Sequence, residues 1–369
     1  MQLLDSFSLQ SISASEPLQS SLQDIIHNLH IESKFCIKHP DYKPLELPPA
    51  AASRFEKLSP DLQNKYLNLQ LSHFLYGIYY NASLKRALAS DGETENLALN
   101  QNLENNTVLG VDLQFYDRLH HSNSGDGYFS AGWLVVKQEE DGALAVQKDG
   151  LTLHIERDRH LQPEEQSASI GNSVAIKMPK NLVQNGFYVS VGNAGILLSE
   201  DLTRVYFNLT SEGAVAVMDS LTSQLNAVSI PFTFKALYNP SDYGRYDSAV
   251  LYFDKNHYQA VYPVLERVYN EHKFHFQPEV PLFTKILAPG LGTAEEPNQK
   301  FGDKESFGMN RCQIIANGLL EAWSEGDDSP EGRMKSILQQ FDLLSVDLQR
   351  PYLNANSEDI YTPLFTGNG

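Results

Sequence analysis

After Trp133 the chain breaks into short apolar segments: "WLVVKQ", "ALAVQKDG", "LTLHIE", "SVAIKMP", "FYVSVGN", "RVYFNLT" and "FTFKALY". Each is rich in β-branched or aliphatic residues, and Gly, Asn, Asp or Pro separates one from the next. Closely spaced short strands favour an antiparallel sheet, because parallel neighbours need a long crossover between them. Asp141-Gly142 and Asp149-Gly150 read as hairpin turns.

Helices interrupt this texture. "TSEGAVAVMDSLTSQL" carries Val215, Met218, Leu221 and Leu225 on one stripe, with Thr210 or Ser211 as its cap. "NHYQAVYPVLERVYNEH" follows the strand "AVLYFD", and Pro263 must start or kink that helix. A further helix runs from Ser306 to Gly326, and another opens with Ser329 as cap and Pro330 first. The N-terminal third reads helical. Leu22, Ile25, Ile26 and Leu29 form one stripe; Ser59 and Pro60 open a second helix that ends in the aromatic run Phe74 to Tyr80. A polar stretch, 90–106, reads as a linker or a weak exposed helix, and "SNSGDGYFSAGW" as a turn cluster. The expectation is an α+β protein. A helical N-terminal domain spans 1–122, and 123–369 form a mainly antiparallel twisted sheet with helices packed against it.

Composition narrows the function. The net charge of −18 argues against a nucleic-acid footprint or adhesion to anionic membranes, both of which need Lys and Arg. It permits a small cationic pocket. Cys36 and Cys312 have no metal-ligand spacing and read as reduced thiols. "MQLLDSFSLQ" is no signal peptide, so a cytoplasmic protein is expected. No zinc, calcium, P-loop or nucleophile-elbow motif occurs; neither a metal nor a cofactor is expected.

Alternation assigns faces. In "LTLHIE", His154 shares a face with Thr152 and Glu156; in "RVYFNLT", Arg204 and Tyr206 share one; in "SVAIKMP", Lys177 is the lone charge. If these strands share one sheet, their polar faces bring His154, Lys177, Arg204 and Tyr206 together. A lysine base, a histidine acid and arginines on a phosphate are what β-elimination of a phosphate ester requires. The plainer reading makes His154 a solvated strand residue, Lys177 an edge-strand charge, and Arg157 and Arg159 surface ion pairs.

"YNPSDYGRYDS" and "SFGMNR", within a stretch from about Gly125 to Ala322, resemble the HopA family of bacterial type III effectors. The resemblance implies an α+β fold and, for family relatives in peptide biosynthesis, a lyase. Such lyases remove phosphate from phosphoserine or phosphothreonine to leave a dehydroamino acid. It implies a phosphorylated peptide or protein substrate and a kinase acting upstream. By the same resemblance His154 matches the lyase histidine, Lys177 its base and Tyr206 a tyrosine near the base. Arg245 and Arg311 match phosphate contacts, with Arg204 behind them. Thr152 stands where the phosphothreonine lyases carry a lysine, a role that Lys285 is expected to fill. The alternative is a non-catalytic protein that binds phosphopeptides or another protein.

Overall fold

Apolar spacing and proline placement build the N-terminal helices. In the computed structural model, which describes residues 15–89 and 110–364, α1 (Glu16–Asn28) buries Leu18, Leu22, Ile25 and Ile26. Helices α2 (Pro49–Phe55) and α3 (Pro60–Leu75) both open on proline, whose missing N–H is no loss in a first turn. Helix α3 runs on into a π-helical turn, Tyr76–Tyr80. Then come α4 (Lys85–Leu88) and α5 (Leu113–Ser122), the latter capped by Asp112, which accepts from the Phe115 N–H at 2.9 Å. The polar stretch 90–106 and the opening decapeptide lie outside the described residues.

An antiparallel meander of β1 (His30–Ser33), β2 (Cys36–His39) and β3 (Tyr42–Glu46) interrupts these helices. Sequence reading misses it because four- and five-residue strands give too few alternations to register as a period.

The later strands form two antiparallel sheets where one was expected. The smaller sheet holds β4 (Tyr128–Gln138), β5 (Leu144–Lys148), β6 (Leu151–Ile155) and β7 (Ser173–Met178), in the order β6-β5-β4-β7. It has its own core of Trp133, Val135, Leu144, Val146, Ile155 and Ile176. Asp149 and Gly150 both take positive φ, the two-residue hairpin geometry that joins β5 to β6. A short turn, α6 (Arg157–His160), follows β6.

The larger sheet holds β8 (Asn181–Gln184), β9 (Phe187–Val191), β10 (Leu202–Phe207), β11 (Phe232–Leu237), β12 (Ala249–Asp254), β13 (Lys285–Ala288) and β14 (Leu291–Glu295). Its order is β13-β14-β10-β12-β11-β9-β8. Pro179 breaks the chain between β7 and β8, since proline brings no N–H to a ladder.

The larger sheet is the middle of three layers. Val205, Phe207, Phe232, Phe234 and Phe253 are fully buried on one face. Helices α5, α7 (Ser211–Ala227) and α8 (Tyr258–His272) cover it. Thr210 caps α7, accepting from the Gly213 N–H at 3.1 Å, and Pro263 lies inside α8 rather than at its start. Over the other face lie the π-helical turn and the start of α9 (Phe307–Glu325), and α10 (Pro330–Leu343) packs on α9. Tyr206 meets the rings of both Tyr80 and Phe307 edge-on or tilted. Gly308 makes that closeness possible: a Cβ there would sit 2.3 Å from the Tyr80 ring.

Candidate functional site

Strand register sets two polar side chains, Lys235 and Tyr206, in one row across the larger sheet. Pairing places Leu182, Val189, Lys235, Val250, Tyr206 and Gly292 side by side on β8, β9, β11, β12, β10 and β14. The adjacent row on the same face holds Thr233, Tyr252 and Arg204. Alternation puts the phenylalanine-rich set on the opposite face, so this face is free to carry charge.

Two adjoining hollows share Arg204, Lys235, Tyr252 and Ser306. The inner one, about 20 Å³, also touches Tyr76, Tyr80, Tyr206, Arg245 and Asp247. The outer one is an open cleft of about 440 Å³, bordered by Lys300 and Lys304. Together five cations and three carboxylates (Asp247, Glu296 and Glu305) line them, a local excess of positive charge in a chain of net −18.

Arg245 is 2% exposed. Its Nε and Nη2 donate to Asp247 at 2.5 and 2.9 Å. Asp247 also accepts from the Tyr76 hydroxyl at 3.3 Å and from Asn81 Nδ2 at 3.2 Å. The remaining guanidinium nitrogen, Nη1, is buried without a partner among the described residues. Arg204 pairs with Glu296 and lies 5.0 Å from the Tyr252 ring centroid; Lys300 takes the second Glu296 oxygen at 2.6 Å. The Lys235 ammonium sits between rings, 4.6 Å from Phe187 and 5.3 Å from Tyr252. It makes no hydrogen bond or ion pair among the described residues, although Asp247 feels its charge. The Tyr206 hydroxyl is buried between Tyr80 and Arg204 without a well-formed hydrogen bond. Burial pushes its pKa well above the usual phenol range against the pull of Arg204, so it stays protonated.

The N-terminus of α9 closes the arrangement. Ser306 caps it, accepting from the Met309 N–H at 3.3 Å, and lines both hollows. A helix start carries partial positive charge and free N–H groups, which favour an anion.

Burial raises the pKa values of Asp247 and Glu296, but Arg245 and Arg204 outweigh it and hold both carboxyls below their ordinary range. Such groups contribute stability above the unfolded pKa, lost as pH falls through the lower folded value. The urea midpoint is therefore expected to stay level above about pH 5 and to drop below about pH 4. Glu296→Gln should make that drop shallower, as urea titrations at stepped pH would show.

The structure divides the residues expected from sequence. Arg204, Tyr206 and Arg245 come together around the inner hollow. His154 and Lys177 do not join them or each other. Both project from the outer face of the smaller sheet, but β6 and β7 are its opposite edges. Three strand spacings separate them, about 14 Å. His154 lines up through Ala145 with Lys137, whereas Lys177 pairs with Phe129, eight residues away along β4. The side chain of His154 is 68% exposed and 3.3 Å from Glu139. Thr152, on the same outer face, is exposed as well.

Lys285 also departs from expectation. Its register with Thr293, and so with Val205, puts it on the far face from Arg204, where it pairs with Asp359 at 2.7 Å. Arg311 is buried on Phe307 and donates to the carbonyls of Pro351 and Leu353 and to Asn310. It pins the C-terminal segment rather than facing the cleft. Arg311→Met is expected to lower stability by about 2–4 kcal/mol, because two buried carbonyls lose their donor. Calorimetry would read the loss. Arg157 is structural too, donating to the Gly142, Gln166 and Ala168 carbonyls. Sequence reading missed Lys235, although the signal that singled out Lys177, one charge in an apolar strand, is present in "FTFKALY".

Residues 178–353 match the HopA1 effector protein family. Over that span, just under half of its length, the chain is similar to this family. The HopA1 segment contains Arg204, Tyr206, Lys235, Arg245 and Ser306; it begins one residue after Lys177 and leaves out His154. Two solved effector structures are similar to the chain. The effector protein from Pseudomonas syringae pv. tomato strain DC3000 is 17% identical, with a TM-score of 0.39, over 66% of this chain and 81% of that one. The effector protein from Pseudomonas syringae pv. syringae strain 61 is 15% identical, with a TM-score of 0.41, over 80% of this chain and 98% of that one. No curated protein sequence matches the chain. Among the described residues no helix is long and apolar enough to cross a membrane, and no cluster of three or more His, Cys, Asp or Glu is arranged to hold a metal ion.

Proposed function

We propose that the cleft binds the phosphate of a phosphoserine or phosphothreonine side chain in a peptide or protein and eliminates it. The observation that carries this reading is the buried, unpartnered Nη1 of Arg245 beside Arg204, Lys235 and the start of α9. A buried donor without an acceptor is costly, and a phosphate oxygen would satisfy it.

Elimination needs a base at Cα and a proton for the leaving group. The Lys235 amine takes the Cα proton. That electron pair forms the Cα=Cβ bond as the Cβ–O bond breaks, and inorganic phosphate leaves with the former ester oxygen. Tyr206, whose phenolate Arg204 would stabilise, delivers a proton to that oxygen. Arg204 and Arg245 balance the charge that collects on the phosphate. No redox partner enters the balance. Such a substrate implies a kinase acting upstream.

Both guanidiniums are already paired with carboxylates, and this favours a second reading: a module that binds phosphopeptides without turnover. Mass spectrometry of a phosphopeptide incubated with the protein separates the two. Elimination appears as loss of phosphoric acid. Binding without that loss supports the module, and neither binding nor loss overturns both. His154→Ala and Lys177→Ala are expected to keep wild-type turnover. If either abolishes it while Lys235→Met does not, the smaller sheet holds the chemistry instead.

A further inference from the structure

Toward β8 the polar row becomes apolar. Val189 and Leu182 follow Lys235 in register, one and two strands out. Leu182, on the edge strand, is 40% exposed. Leu197 joins it in the cleft wall from the 192–201 loop. Its neighbours in "GILL" are also open to solvent, Ile196 at 45% and Leu198 at 87%. Leu182, Val189 and Leu197 thus form an aliphatic shelf at one end of a cationic cleft.

Distance decides how a ligand uses both parts. Strands lie about 4.8 Å apart, so Leu182 is about 10 Å from Lys235 across the sheet. A peptide added to the free edge of β8 would run about 14 Å from Lys235, beyond the reach of a phosphoserine side chain. A peptide that delivers its phosphate must therefore cross the strands. An extended chain advances about 3.3 Å per residue, so 10 Å is about three residues. Resting on the phosphate-ester reading, we propose that the cleft selects phosphorylated residues with a large aliphatic side chain about three positions away. That side chain seats on Leu182 and Leu197. The occupant is an extended phosphopeptide: its phosphate complements the cations, and its aliphatic side chain complements the shelf.

The test uses three fluorescent peptides. One has phosphoserine with leucine three positions to either side, one has alanine at those positions, and one is the leucine peptide without phosphate. The leucine phosphopeptide is expected to bind about tenfold more tightly than the alanine one, the return from partly burying one leucine. Leu182→Ala should shrink that ratio toward one. Leu197→Ala, on the 192–201 loop, gives the same readout if the β8 variant folds poorly. Equal affinity for the two phosphopeptides overturns the selection and leaves the phosphate reading standing. If the unphosphorylated peptide binds as well as its phosphorylated twin, or if none binds, the phosphate reading falls and the selection falls with it.

Discussion

Lys235→Met is expected to slow phosphate loss from a bound phosphopeptide by about 10²–10⁴-fold, the usual worth of a positioned general base. The substitution keeps an unbranched side chain against the Phe187 and Tyr252 rings, so the packing survives while the amine is lost. Affinity should fall less than rate, because Arg204 and Arg245 still hold the phosphate. Single-turnover kinetics on a saturating phosphopeptide, followed by mass spectrometry, would read the two effects separately. A variant that turns over like wild type would remove Lys235 as the base, whatever it did to binding.

Arg245→Met is expected to destabilise the protein by about 3–5 kcal/mol, the cost of leaving one partner of a buried ion pair alone. Asp247 is 5% exposed and would keep only Tyr76 and Asn81 as donors. A double substitution, Arg245→Met with Asp247→Leu, should recover much of that loss, because no buried charge is then left unpaired. Phosphopeptide affinity should not recover with it. Denaturant titration beside a binding isotherm on the single and double variants tests both statements. If the double variant regains affinity as well as stability, Arg245 supports the fold and does not touch the phosphate.

Alternation and turn residues made much of the architecture readable before any coordinates. The Asp149-Gly150 turn, the Thr210 and Ser306 caps and the antiparallel pairing all follow from local rules that neighbours do not override. Partnership between strands was not readable. "LTLHIE" and "RVYFNLT" look alike as isolated strings, yet one belongs to the smaller sheet and the other to the larger. Nothing in a strand's own pattern states which sheet it joins. Arg204, Tyr206 and Arg245 were legible as a set because two share a strand face and the third lies in a family motif. Lys235 carried the same lone-charge signal as Lys177, and only the register of β11 against β12 gives it a meaning. Arg311 misled for a different reason. A buried arginine that binds carbonyls and one that binds a ligand leave the same mark in a sequence.

The π-helical turn Tyr76–Tyr80 belongs to both halves of the molecule. Tyr76 and Tyr80 wall the inner hollow, whereas Tyr79 turns away to Asp24 and His39, at 2.8 and 3.2 Å, tying α1 to the small meander. The span shared with the effector family therefore supplies the floor of the cleft but not its back wall. A fragment trimmed to residues 178–353 would lose Tyr76, Tyr80 and Asn81 together, and the Arg245–Asp247 pair would face water. Transplanting that span onto another scaffold would carry the cations across without the dry enclosure that gives them their strength.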